Sequence, residues 1–336
     1  MSNTTTKGAR LGTKKLDMQK LLAPMALVIL YILFSIIGEN FFTWNTAENI
    51  LQASYYIGFM AFGVTFIIIT GGIDLSLGTV MMCSALLGGY SFKVLHLPMY
   101  VSILVTIFTA VAFGFLNGVL VAKLKLPPFI ATLGTQMMSA GLGSILTKVQ
   151  AQTWPPVTDP TGGWFKKIFV RTKLFDFLPI GAVWLLVFFI IAALILHKTK
   201  LGRYFYAIGS NEEAARLSGI NVDNWKIAAY TLSGFFVGMA ALFYAAVYST
   251  ITPGVGQGQE MHGITGVIIG GTSMAGGSGT MVGSLIGVFI MSTLKTGLSA
   301  CGLQAQWQTF FTGLVVIGAV LLDIYRTKTA SKVKRS

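Results

Sequence analysis

Long uncharged apolar runs recur along this chain, and they decide its solvent. The segments 21–37, Met99–Ala122 and 180–196 each run seventeen residues or more without a charged side chain. A hydrocarbon core about 30 Å thick takes roughly 20 residues of α-helix, fewer where the helix ends are accommodated locally. The runs are continuous and lack period-two alternation, which argues against barrel strands. With 54% hydrophobic and 10% charged residues and a mean hydropathy of +0.73, no polar region is long enough for a soluble domain. The expected fold is all-α, a polytopic membrane protein of about ten transmembrane helices, some broken or short. The spans are read at 21–37, 56–70, 73–92, 99–122, 128–147, 180–196, 228–248, 260–275, 282–298 and 307–322.

The formal net charge of +13 would suggest nucleic acid in a soluble protein, but its distribution points elsewhere. Lys7, Arg10, Lys14, Lys15 and Lys20 precede the first run, and Arg326, Lys328, Lys332, Lys334 and Arg335 follow the last. Lys123 and Lys125, then Lys198, Lys200, Arg203, Arg216 and Lys226, fill two loops between. Placing these on one side satisfies the positive-inside rule for a bacterial inner membrane with both termini cytoplasmic. Residues 1–20 and 326–336 are then basic cytoplasmic tails around a membrane domain, 21–325. The loop 148–179 strains the rule with Lys148, Lys166, Lys167, Arg171 and Lys173 on the outside; its Trp154-Pro155-Pro156 and Trp164 predict an ordered cap at the interface. No aromatic-basic groove supports nucleic-acid binding.

Glycine is the second signal. Gly114–Gly118, Gly234–Gly238, Gly266–Gly270 and Gly279–Gly283–Gly287 repeat at four-residue spacing, which puts them on one helix face where backbones can approach closely. Broken, tightly packed helices are expected over 266–287. Thr70-Gly71-Gly72 and Ile269-Gly270-Gly271 both end an apolar run with a double glycine before a span rich in small residues, an echo suggesting a parallel repeat of the sort transporters use.

Several chemistries lack support. There is no phosphate-binding loop for ATP, His96, His197 and His262 have no zinc spacing, and Cys83 and Cys301 read as buried, inert thiols. No nucleophile constellation is present, so no cofactor, metal or catalytic residue is assigned to this chain. Asp74 is the carboxylate set deepest among apolar runs; such a charge costs roughly 2.5–3.5 kcal/mol by insertion scales and usually faces protein or a water path. After the helix-breaking Gly71-Gly72 it is placed to cap the next helix, with Ser76 as the alternative. Asp74, Ser76, Asn117, Thr135, Glu260 and His262 are the candidates for a translocation path or gate.

The polar island 202–221 concentrates Arg203, Glu212, Glu213 and Arg216 between spans. Asn211 can cap a short amphipathic helix there, with Glu212 and Glu213 in its first turn, Ala214 and Ala215 within it and Gly219 to end it. It is predicted to be a docking helix running from Gly209 to Gly219; an ordinary solvated loop is the plainer alternative.

Thr70-Gly71-Gly72-Ile73-Asp74-Leu75-Ser76-Leu77-Gly78, Pro128-Phe129-Ile130-Ala131-Thr132-Leu133-Gly134, the stretch 201–221 and Gly270-Gly271-Thr272-Ser273-Met274-Ala275-Gly276-Gly277 together resemble permeases of the ribose/galactose/xylose class of ABC importers, ribose permeases most of all. That resemblance implies a transport subunit, not an enzyme, paired with a second copy of itself or a paralogous permease. It also implies an extracytoplasmic sugar-binding protein and a cytoplasmic ATPase with two fused nucleotide-binding halves, where ATP and Mg would bind. The family's ATPase-contacting loop matches 203–221. Where relatives commonly read Glu-Leu-Asp-Ala-Ile, this chain reads Glu260-Met261-His262-Gly263-Ile264, so the ribose specificity does not carry over with the motif. An ion-coupled secondary carrier for a small polar solute is the alternative from another class.

Overall fold

The computed structural model describes residues 18–175 and 177–333; the remainder, with Lys7, Arg10, Lys14, Lys15, Lys334 and Arg335 of the basic tails, lies outside the described residues. In chain order the helices are α1 (Met18–Ile37), α2 (Trp44–Ile69), α3 (Leu77–Lys93), α4 (Met99–Ala122), α5 (Pro128–Leu146), the single turn α6 (Trp164–Lys166), α7 (Ile180–Lys198), α8 (Lys200–Ser210), α9 (Glu212–Leu217), α10 (Val222–Tyr248), α11 (Gln259–Ile269), α12 (Met281–Ala300) and α13 (Ala305–Val333). Four strands of two residues accompany them: β1 (Gln152–Thr153), β2 (Lys173–Leu174), β3 (Leu178–Pro179) and β4 (Thr250–Ile251). The chain is an all-α polytopic membrane protein.

Each expected span falls on a helix, with corrections at the ends. Among the described residues seven helices are long and apolar enough to cross a membrane: α2, α4, α5, α7, α10, α12 and α13 over Ala305–Tyr325. The expected span 73–92 loses its start. Gly71 takes φ +78, a conformation glycine adopts freely, and α3 begins only at Leu77. The expected span 260–275 loses its end, because α11 stops at Ile269 and Gly271 turns the chain at φ +96. With 17 and 11 residues, α3 and α11 are shorter than those seven, partial helices that give the breaks expected beside the double glycines. In the other direction α2 begins at Trp44, where the Thr43 hydroxyl caps it by accepting from Thr46 N.

The α2 helix is the hub, 94% buried over its apolar window against 22% for α7. Around it pack α10, α11 and α12, with α4 on the far side of α10. Lipid tails are as apolar as leucine, so close fit rather than apolarity drives this association. The glycine series supply the fit. A Cβ at Gly234 would lie 2.6 Å from Ala110 O and one at Gly118 2.8 Å from Ile227 Cα, so α4 and α10 touch backbone to backbone. Gly266 with Gly287, and Gly270 with Gly283, do the same for α11 and α12. Interlocked rings of Phe59, Phe62, Phe66, Phe236 and Phe243 fill the space beside α2.

The two ends of α10 mark two ends of the bundle, roughly 40 Å apart for a helix of 27 residues. At its C-terminus, β1 pairs antiparallel with β4 and the loop 148–179 folds over the bundle. Trp154 is fully buried there and donates to Ala85 O at 3.1 Å, so the tryptophan expected to order this loop does so by entering the core. At its N-terminus lie α8, α9 and the end of α4.

Candidate functional site

The N-termini of the two partial helices meet inside the bundle. A Cβ on Gly78 would strike Gly256 O and the Glu260 carboxylate, so α3 and the approach to α11 are in backbone contact. Asp74 and Glu260, each 2% exposed, flank this meeting point. Asp74 does not cap α3 as expected. Ser76 is the N-cap residue and makes no side-chain cap bond. Asp74 Oδ1 instead accepts from Ser76 N at 2.8 Å and Ser76 Oγ at 2.6 Å. From α4, Asn117 Nδ2 donates to both Asp74 oxygens at 3.4 and 3.3 Å and to Ser76 Oγ at 2.9 Å. Asn117 Oδ1 accepts from Thr135 Oγ1 of α5 at 2.6 Å. Four candidates named from the sequence therefore form one chain of contacts across α3, α4 and α5.

Glu260 extends it. Its carboxylate accepts from Gly258 N at 3.0 Å and from Gln136 Nε2 at 3.3 Å. Among the described residues neither carboxylate forms an ion pair; both are held by neutral donors, which satisfy a buried charge without a fixed counter-ion. Beside them lies a cavity of about 190 Å³ lined by Thr79, Met82, Gln136, Ser139, Gly256 and Gln257 among others. Its wall of methionine and small polar groups suits a ligand with both apolar and hydroxyl faces. Gln136, Thr79 and Ser139, whose hydroxyl donates to Thr79 Oγ1 at 2.8 Å, were not singled out by the sequence; one Gln after Thr135 was the only signal. Cys83 is buried and lines the cavity, and Cys301 is half-buried.

His262 stands apart from this node. Its Nδ1 is buried without a hydrogen-bond partner among the described residues, and its charged neighbour is Lys295 of α12 rather than Asp74.

The polar island folds as two helices broken at Asn211. Asn211 Oδ1 accepts from Ala214 N at 2.9 Å, Glu212 and Glu213 occupy the first turn of α9 and Arg216 its last, and Gly219 ends it at φ +83. The helix expected over 209–219 is only Glu212–Leu217, and Gly209 lies outside it, in α8. Lys226 Nζ donates to Glu212 Oε2 at 2.5 Å, Arg216 pairs with Asp223 at 3.1 Å and Lys125 with Asp223 at 2.7 Å, tying α9 to the ends of α4 and α10. Burial pushes the Glu212 carboxyl up, but the Lys226 hydrogen bond with the Lys226, Arg216 and Lys125 charges outweighs it and holds the group below the usual range. Ala215 is buried against Ile208 and Val222, while Glu213, Ala214 and Leu217, 86% exposed, face outward. Arg203 is exposed on α8.

Beneath α9, α8 holds both double-glycine turns. A Cβ on Gly209 would collide with Ile69 O at the end of α2 and with Gly277 N after α11. Gly277 N in turn donates to Ile69 O at 2.9 Å, and Tyr206 Oη donates to Gly279 O at 2.6 Å. The two echoing motifs meet at one end of the bundle, on one helix.

Residues 46–320 match the family described as branched-chain amino acid transport system, permease component. The chain is 36% identical over 333 residues to the ribose import permease protein RbsC of Escherichia coli K12, covering 96% of this chain and 99% of that one. It is 32% identical over 313 residues to the autoinducer 2 import system permease protein LsrC of Photorhabdus luminescens, covering 91% and 89%. A solved inward-facing ABC transporter, assigned there to the metal-chelate type, shares the fold at a TM-score of 0.51 and 15% identity, over 92% of this chain and 98% of its own. An all-α bundle with partial helices meeting at a buried polar node, matched over nearly its whole length, belongs to the ABC importer permease family that includes the ribose and autoinducer 2 import permeases.

Proposed function

We propose that this chain is the membrane path of a binding-protein-dependent importer that moves a monosaccharide, a pentose such as ribose or a hexose, inward. The α9 end faces the cytoplasm, as the lysines and arginines near it favour. A separate ATPase with two fused nucleotide-binding halves docks on α9, and its ATP and Mg stay on that partner. An extracytoplasmic sugar-binding protein delivers solute at the opposite end. The α5 helix supplies the contact to a second permease copy: Phe129, Ile130, Met137 and Ile145 are exposed along it, and a Cβ on Gly134 or Gly141 would meet nothing, leaving room for another helix to approach.

The observation that carries this reading is the position of α8. Closure of the ATPase pushes α9, and α8 passes the movement to the ends of α2 and α11 through Gly209. Those turns lead into the segments that hold Asp74 and Glu260, so a shift at the periphery reorders the contacts of the buried node. The two openings of the path are then two arrangements of packed elements, selected by the nucleotide state of the partner. The sugar reading draws on the named relatives and on a cavity whose donors and acceptors are neutral hydroxyl and amide groups.

The test is uptake by sealed vesicles holding the chain with its ATPase, supplied with the binding protein and D-ribose, D-xylose, D-galactose or D-fructose. ATP-dependent accumulation of one of them is expected. Accumulation driven by an ion gradient without ATP would replace the importer with a secondary carrier.

A further inference from the structure

Lys295 is a cation that the proposed path leaves unused. It sits in α12 between Leu294 and Thr296, five residues before the end of an apolar helix, and a lysine there would ordinarily extend its amine to the interface. This one turns inward. Its Nζ donates to Tyr56 Oη of α2 and lies 5.0 Å from the centroid of the Tyr56 ring and 5.9 Å from that of Tyr248. Tyr244 completes an aromatic set, with centroids 5.2 Å from Tyr56 and 4.5 Å from Tyr248. Tyr56 Oη passes its own proton toward Gln259 Oε1 at 3.5 Å. Four helices, α2, α10, α11 and α12, converge on this ammonium, and among the described residues no carboxylate pairs with it.

The group has spare capacity. An ammonium carries three donors; the Tyr56 and Tyr248 hydroxyls take two of them and one remains. His262 Nδ1 is buried without a hydrogen-bond partner among the described residues, and the ring lies within reach of the Lys295 charge. Tyr248 is 42% exposed, and Gln259 and Lys295 are half-buried, so the cluster is open from the end of the bundle that carries the β strands. It adjoins the node through one residue: Gln259 faces the tyrosines while Glu260 faces Gln136. Tyr56 is buried within the set, so it is the exposed part of the Tyr248 ring, beside the remaining ammonium N–H, that matches a ring apolar on its C–H face and rich in oxygen acceptors at its edge.

We propose that Lys295, with Tyr248, Gln259 and His262, forms an entry site that binds a monosaccharide at its hydroxyl oxygens before it reaches the Asp74–Glu260 node, and that Lys295 sets which hydroxyl pattern is accepted. This rests on the sugar-import reading and on the strand-bearing end facing outward. Lys295→Gln keeps a donor but removes the charge and shortens the reach, and Lys295→Arg keeps the charge.

The measurement is ATP-driven vesicle uptake of whichever of D-ribose, D-xylose, D-galactose and D-fructose the wild type imports, and of each of its monodeoxy analogues, in the complete complex. Lys295→Gln is expected to lower kcat/KM for the parent sugar about tenfold while leaving one deoxy analogue, the one lacking the hydroxyl that Lys295 meets, transported as by the wild type. Lys295→Arg should recover most of the parent's rate. An equal loss for the parent and every analogue, or no loss at all, overturns the site and leaves Lys295 a packing residue. Should Lys295→Gln fail to assemble, Tyr248→Phe and Lys295→Arg run against the same analogues decide it, since a contact site still predicts unequal losses. A wild type that imports none of the four sugars overturns the import reading and the entry site with it.

Discussion

The buried node and the α9 surface both gather acidic side chains, yet they hold them by opposite means. At the node, Asp74 and Glu260 are shut away from water and satisfied by Ser76, by the Gly258 N–H and by the Asn117 and Gln136 amides of α4 and α5, with no cation among the described residues. On α9, Glu212 is open to solvent and shares a web of charges with Lys226 and Arg216. The contrast separates two tasks. On the proposed mechanism the interior changes arrangement, and it is held by neutral bonds and close backbone contacts, each modest and each remade at small cost. The surface proposed to meet the ATPase carries charge, which adds little to folding but much to recognition.

That contrast breaks most easily where backbones touch. Gly287→Leu drives a side chain into Gly266 O, an overpacking penalty of about 3 kcal/mol, and should remove most of the folded protein seen by size exclusion in detergent. Gly141→Leu, at a position where a Cβ meets nothing, should leave the single chain intact. Equal yields for the two variants would mean that the α11–α12 contact does not hold the bundle.

A smaller effect is expected at Asp74. Asp74→Leu strands Ser76 N and takes the acceptor from the Ser76 hydroxyl, at roughly 1–3 kcal/mol for each buried group left unmet, and should lower the thermal midpoint and the yield. Asp74→Asn keeps an oxygen for Ser76 N and should retain assembly and much of the transport. Well-folded Asp74→Asn protein without transport would show that the charge itself is needed.

The smallest effect is on α9. Because the Glu212 pKa is held below its ordinary value, its contribution is present at neutral pH and is lost as pH falls through the depressed folded value. For so exposed a pair it amounts to about 1 kcal/mol or less. A nitroxide placed at Leu217 should therefore gain mobility on acidification from pH 7 to below 4, and Glu212→Gln should be equally mobile at both. A probe that stays immobile throughout would detach α9 from these ion pairs.

What the sequence reveals follows the cost of exceptions. A carboxylate or amide in an apolar run is expensive, so Asp74, Asn117 and Thr135 stand out without a structure, as do the double glycines that stop α2 and α11. The ends of α9 are legible too, because Asn211, Glu212 and Gly219 act locally on one short helix. Gln136 and Ser139 are less visible, since α5 carries polar residues at several angles and only packing shows which face α3. Lys295 carries the same signal as Asp74, but a lysine near a helix end ordinarily reaches for the interface, and only its contact with Tyr56 shows it turned inward. Gly209 looks like part of the docking helix in sequence. Its contact with Ile69 and Gly277 depends on chain segments some 70 to 140 residues away, which no local pattern encodes.

The central claim is that α9 transmits the partner's work to the node. The most direct measurement takes Glu212→Lys combined with Glu213→Lys, asks whether the permease still co-purifies with its ATPase, and then compares ATP hydrolysis with sugar uptake in the same vesicles. The variant should fold and insert normally yet lose the ATPase, or hydrolyse ATP while uptake falls at least tenfold. Normal assembly together with normal uptake would contradict the account and leave the outward apolar face of α9 or its backbone as the contact.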